Sequence, residues 1–239
     1  MSQLLLRHQR PFLAFWFARV FTASGFQMIT VAIGWQMYAL TGNVLDLGLV
    51  GLIEFLPKIL FILLTGHVAD RFDRRKVAAL CQGAQGLIAL SLLLGSGAGG
   101  ISREMIFVIA FLLGTARAFE MPTTQALLPN IVPPGLFPAA VAASASAMQA
   151  ATIIAPALGG LLYALGTHWV YGPAVLLYGC ALSLMLSLPA RQLPLKQKVS
   201  LDSLLAGFRF IRSRPAVFGA VSMDMLAVLL SGATALLPV

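Results

Sequence analysis

The sequence predicts an all-α integral membrane protein, and three observations carry that expectation. Of its 239 residues, 59% are hydrophobic and 10% charged, too apolar for a water-soluble surface of this size. The charges gather in a few short stretches. Between them lie nearly uncharged runs of about 20 residues, the length a helix needs at ~1.5 Å per residue to cross ~30 Å of hydrocarbon. Runs such as Ile59 to Leu64 and Ile88 to Leu94 do not alternate, which excludes the roughly 10-residue alternating strands of a membrane barrel.

The placement of basic residues orients these runs. The net charge of +8 could suggest nucleic acid, but the sixteen Lys and Arg fall mainly in the gaps between spans, so a nucleic-acid partner is not expected. Arg7 and Arg10, four residues between Gly66 and Leu80, and six between Arg191 and Arg214 make twelve on one side. Arg103 alone lies in a connection of opposite parity. This positive-inside pattern puts the N-terminus in the cytoplasm of a multi-pass protein of the cell's inner membrane. The basic start resembles a signal peptide, but its apolar run exceeds a leader's core, so it reads as a retained first helix. Cys81 and Cys180 lie inside apolar spans as small hydrophobes. No disulfide framework, metal site or cofactor is expected.

Span 1 covers roughly Pro11 to Leu40, long enough to tilt or to extend past the membrane. Arg19, Gln27, Thr30, Gly34 and Tyr38 share one narrow arc of it. Since an arginine at that depth is costly unless it faces water or a partner, the arc reads as a cavity and substrate lining. Span 2, Val44 to Ala69, follows the turn Thr41 to Asn43. It holds Glu54 and Lys58 in the favourable i, i+4 order, with Pro57 between them expected to kink the helix. Span 3 covers Val77 to Leu94. Span 4, Glu104 to Leu128, carries Arg117 and Glu120 on one face, with Pro122 beyond them. A Pro-rich connection, Pro129 to Pro138, leads to span 5, Ala139 to Leu165, where Pro156, Gly159 and Gly160 suggest tight packing at a hinge. A turn from Gly166 to Val170 precedes span 6, Tyr171 to Leu188.

The organisation expected is therefore a six-helix bundle over residues 1–188, a cytoplasmic linker over 189–214, and a seventh span over 215–239. In the linker Leu201, Leu204, Leu205, Phe208 and Ile211 make an apolar stripe beside Lys198, Arg209, Arg212 and Arg214, the pattern of a helix resting on the inner leaflet. Span 7 carries Asp224. Setting aside Glu54 and Lys58, the intramembrane charges recur in spans 1, 4 and 7. Arg19, Glu120 and Asp224 lie nine, eight and ten residues from the cytoplasmic boundary, a depth of roughly 12 to 15 Å. Recurrence at every third helix and one depth is what three-helix repeats around a central site produce. Protonation of Asp224, Glu120 or Glu54 would then change a buried charge. Asp224 leads because no basic residue within one turn pairs it.

The charged island between spans 2 and 3 carries a family resemblance. Gly66, Ala69, Asp70, Arg71, Arg74 and Arg75 are similar to the G-x-L-A-D-R-x-G-R-K/R loop of the major facilitator superfamily, with Val68 where Leu is usual and Asp73 where Gly is usual. The DR-x-D-R-R form resembles the exporter branch that contains enterobactin and macrolide exporters, as do Met223-Asp224 and Leu236-Leu237-Pro238. Arg117 matches the arginine of the helix 4 motif, though the Gly after Gln is absent. Pro156, Gly159 and Gly160 match the end of the helix 5 antiporter motif, with Ala155 in place of its Gly.

The resemblance implies an N-terminal six-helix bundle of two three-helix inverted repeats plus the first helix of a second bundle. It also implies alternating access. The Gly66 loop, with Asp70, Arg71, Arg74 and Arg75, would latch the cytoplasmic side, and protons would drive efflux of drugs or siderophores. A missing C-terminal half is expected, in the same longer chain or in a second polypeptide. The longer chain is favoured because Leu237-Pro238-Val239 ends without a polar tail. The competing expectation is a non-transporting membrane scaffold, a lipid-handling subunit or a non-functional fragment. Charges at the midplane favour transport, since a scaffold has no need of them.

Overall fold

A computed structural model describes residues 9–97 and 100–189, together with positions 219, 222 and 223. Asp224, the linker stripe and span 7 as a whole lie outside the described residues. Among the described residues seven α-helices follow in chain order: α1 (Arg10–Thr41), α2 (Val44–Leu60), α3 (Ile62–Arg71), α4 (Arg74–Gly97), α5 (Arg103–Ile131), α6 (Phe137–Leu165) and α7 (Thr167–Ser187). Among the described residues five are long and apolar enough to cross a membrane, and α2 with residues 64–71 of α3 passes the same test as a pair bent by 59°. They fall where spans 1 to 6 of the sequence reading lie.

The helix ends follow from local chemistry. At 32 residues α1 is about 48 Å long, more than the hydrocarbon thickness. It stops at Gly42, whose φ of +62° closes the last turn through a 2.8 Å bond from its N–H to the Tyr38 carbonyl. Asn43 starts α2 by accepting from the Leu45 N–H at 3.0 Å, and Ser102 starts α5 by accepting from Met105.

Three boundaries differ from the sequence reading. The bend in span 2 comes at Phe61, one turn after Pro57, with Phe61 at φ −102°, ψ 10° and its ring 5.8 Å from that of Phe119. The connection expected over Pro129 to Pro138 shrinks to five residues. Pro129 stays inside α5, Pro134–Leu136 form a 3₁₀ turn, and Pro138 occupies the first turn of α6, where its missing N–H costs nothing. The turn expected at Gly166 to Val170 is Gly166 alone, at φ +129°.

The strongest helix contacts pair α4 with α7, α1 with α7, α1 with α6, α2 with α5 and α4 with α5. Glycine sets two of these approaches. A Cβ on Gly114 of α5 would sit 2.0 Å from the Glu54 carbonyl oxygen of α2, and one on Gly159 of α6 would sit 2.9 Å from Met28 Cα of α1. Only a residue without a side chain lets backbones come so near.

The apolar interior forms two clusters. One holds Phe26, Ile29, Ile33, Ala89, Leu92, Leu113, Tyr171 and Tyr178. The other holds Phe12, Phe15, Ala18, Ala79, Leu127, Leu128, Ala181 and Met185. On three of the helices contributing to both, polar residues fill the gap: Thr22 on α1, Gln82 and Gln85 on α4, Glu120, Thr123 and Thr124 on α5. A polar layer thus crosses the middle of an otherwise greasy bundle.

Candidate functional site

The polar layer is anchored by α5. Arg117 and Glu120, one turn apart, close an ion pair at 2.7 Å with both side chains largely enclosed. The Arg117 guanidinium lies 4.9 Å from the Phe26 ring centroid on α1, a cation–π contact away from water. Gln85 of α4 reaches the same Glu120 oxygen with its Nε2 at 3.5 Å. One buried carboxylate therefore gathers α4 and α5, and its arginine adds α1.

Glu54 occupies a separate position on α2. Its carboxylate accepts from the Thr30 hydroxyl of α1 at 3.2 Å and is 8% exposed. Lys58 does not bridge it. The ammonium instead lies 5.4 Å from the Phe55 ring centroid, so the favourable i, i+4 spacing does not produce an ion pair. Contact with α1 draws Glu54 inward, whereas half-buried Lys58 holds to its own helix.

The predicted stripe on α1 divides along its length. Arg19 is half-buried, with its guanidinium 5.6 Å from the Phe15 ring centroid. Gln27 is half-buried, Thr30 serves Glu54, and Gly34 faces Leu47 of α2, whose Cδ1 would lie 3.1 Å from an added Cβ. Tyr38 is exposed at the far end. The stripe's upper half therefore meets α2.

Several hydroxyls in the layer spend their protons locally. Thr22 donates to the Ala18 carbonyl, Thr123 to Phe119 and Thr124 to Met121. Both amide atoms of Gln82, the Gln85 Oε1 and the Tyr178 hydroxyl are buried without a protein partner. Tyr178 fills the slot between Gly25 and Gly86, whose added Cβ atoms would lie 3.2 Å and 3.4 Å from it. These residues were missed in the sequence because no charged residue marks their spans. Gln82 and Gln85, three apart in an apolar run, were the available signal.

At the charged loop, each basic residue has its own task. Arg74 donates to the Ala69 carbonyl at the end of α3 and to Ala126 of α5, both at 2.9 Å, with Asp70 3.7 Å away. Arg75 donates to the carbonyls of Leu186 and Leu188, at the end of α7. Arg71 lies 3.3 Å from His67 Nε2 and is exposed, as are Gly66 and Asp70. At the opposite end Arg103 and Asp46 form a 2.5 Å pair joining α5 to α2. The sequence showed neither as a pair, because they are 57 residues apart. Pro156 lies inside an unbroken α6, with Gly159 against α1 and Gly160 4.0 Å from Val31.

Comparison with known proteins agrees with this architecture. Residues 4–239 match the family described as transmembrane secretion effector. The chain is 28% identical over 236 residues to the "Enterobactin exporter EntS" of Escherichia coli O1:K1, and equally to those of Escherichia coli O157:H7 and Shigella boydii serotype 18. Each alignment covers 98% of this chain and 57% of the relative, so the chain spans little more than half the length of the proteins it matches. Five helices long and apolar enough to cross a membrane among the described residues, a buried charge layer and a match over nearly its whole length place the chain in the transmembrane secretion effector family of the major facilitator superfamily.

Proposed function

We propose that the full-length protein is a secondary active exporter of amphipathic small molecules, driven by protons through alternating access. The observation that carries this reading is the polar layer, in which Arg117, Glu120, Glu54 and Arg19 sit at the waist of an apolar bundle. Ionisable groups at that depth are expensive and mark a transport path. The relatives' printed names, each an enterobactin exporter, support efflux of a small molecule.

The packing supports two inverted three-helix repeats. Exchanging spans 1 and 4, 2 and 5, and 3 and 6 turns the α1–α6 contact into α5–α2 and the α1–α7 contact into α5–α4, and leaves α4–α7 in place. The second bundle would lie in the part of the relatives' length that this chain does not span. The N-terminus would be cytoplasmic and the host membrane the inner one, as the basic residues indicate.

Within this reading the proton-coupling candidates change order. The charge of Glu120 is locked to Arg117, so a proton there must first break a bridge. Glu54 has one neutral donor and no cation within ion-pair distance among the described residues, so a proton alters its charge without undoing a contact. Glu54 therefore leads among the described carboxylates, with Asp224 its counterpart in span 7. In the cytoplasmic loop Arg74 and Arg75 are used inside the bundle, which leaves exposed Asp70 to meet the second half in the outward-facing state. Pro156, Gly159 and Gly160 would form the hinge against α1.

The test is accumulation. Energised cells expressing the full-length protein should hold less dye or siderophore than cells without it, and a protonophore should erase the difference. Equal accumulation in both conditions overturns export.

A further inference from the structure

Five charged side chains project from the spans around the polar layer: Arg19, Glu54, Lys58, Arg117 and Glu120. Their contacts separate the cations among them. Arg117 is committed to Glu120 at 2.7 Å. Lys58 lies over the Phe55 ring of its own helix, and Glu54 accepts from Thr30. Arg19 has no hydrogen-bond or ion-pair partner among the described residues, and its guanidinium lies 5.6 Å from the Phe15 ring centroid.

Its position is not that of an arginine reaching for the membrane surface. Arg19, Phe26 and Thr30 lie within about 40° of arc at 100° per residue. On that arc Phe26 receives Arg117 of α5 and Thr30 meets Glu54 of α2. Arg19 therefore projects toward the helices that carry the other charges, with a half-buried side chain. A guanidinium offers five donors in a planar fork suited to two acceptor oxygens. A cation held there without a counter-charge is costly until an anion or water meets it.

We propose that Arg19 is the anchor for an acidic group on the transported molecule, so that the cargo is an amphipathic organic anion bearing a carboxylate, sulfonate or phenolate. The assignment rests on the transport reading above and adds a charge preference to it. An amine-bearing amphipath would meet Arg19 directly, while Glu120, one of the two described carboxylates, is already bound to Arg117, so the described part of the layer selects against it.

Two probes with the same ring system separate the charge from the greasy body: anilinonaphthalene sulfonate, an anion, and N-phenylnaphthylamine, which lacks the sulfonate. Fluorescence titration of the full-length protein in phosphatidylcholine nanodiscs, with empty nanodiscs as baseline, should give the sulfonate a Kd at least about tenfold lower. Arg19→Gln should remove that preference by weakening the sulfonate alone, and Arg19→Lys should retain part of it. Equal affinities in the unmodified protein, or equal weakening of both probes by Arg19→Gln, overturn the assignment. The unmodified comparison decides the question even if Arg19→Gln fails to fold. Uphill export in energised vesicles is read separately. Selective sulfonate binding without export would overturn the transport reading and leave the anion site standing, whereas export without charge preference would do the reverse.

Discussion

Arg117 donates to Glu120 across 2.7 Å on one face of α5, at the level where both apolar clusters stop. The pair is sealed by Phe26 and Gln85, so each charge has little but the other to compensate it. Removing one partner should therefore cost far more than removing both. Arg117→Ala should lower stability by about 3 kcal/mol, since it leaves an enclosed carboxylate without its cation. The double change Arg117→Met with Glu120→Met should recover most of that loss. Thermal unfolding of the purified protein, followed by size-exclusion chromatography, checks both; equal losses for the single and double variants would contradict the pair's isolation.

Glu54→Gln preserves an acceptor for Thr30 and the volume of the side chain while deleting the titratable group. Folding should be unaffected, and export driven by a pH gradient in everted vesicles should fall to the level seen with a protonophore. Asp224→Asn should show the same loss with normal membrane insertion. If either variant exports uphill at the wild-type rate, that carboxylate has no part in coupling.

The two glycine contacts yield a graded expectation. Gly114→Ala drives a methyl into the Glu54 carbonyl, a backbone atom that cannot swing away, while Gly159→Ala presses on Met28 at 2.9 Å. The former should destabilise by about 2 to 3 kcal/mol and displace Glu54, lowering transport as well; the latter should cost about 1 to 2 kcal/mol. Gly160→Ala meets only Val31 at 4.0 Å and should be neutral or slightly stabilising, because alanine favours a helix over glycine by about 1 kcal/mol. Melting temperatures should rise from Gly114→Ala through Gly159→Ala to Gly160→Ala.

How much of this was legible in the sequence depends on the range of the interaction. The spans were readable because hydrophobic length is a local property, and Arg117 with Glu120 because three residues of helix bring them together whatever surrounds them. Glu54 with Lys58 had an equally good spacing, yet Glu54 bonds Thr30. A helix offers an i, i+4 pair only as an option, and a neighbouring helix decides whether it is taken. Asp46 and Arg103 show the converse, a bridge between distant residues that no spacing announces. Pro129 was misplaced for a related reason. Proline signals a boundary only when nothing packs the helix on, and Leu127 and Leu128 beside it are buried in the core.

The Asp46 and Arg103 bridge also supplies a test of the bundle's outer end. Asp46 is nearly enclosed whereas Arg103 is about half-exposed, so the carboxylate depends on the arginine more than the reverse. It also sits in the first turn of α2, where the positive end of the helix dipole favours its charge. Arg103→Asp places two carboxylates together and should destabilise by about 2 kcal/mol, mostly from the uncompensated Asp46. Exchanging the charges, Arg103→Asp with Asp46→Arg, should restore part of that loss but not all. The new arginine would face the helix dipole unfavourably and would have to fit a nearly closed position. A full recovery of the melting temperature would mean that Asp46 responds to Arg103 alone and that burial and the dipole add nothing at this end of the bundle.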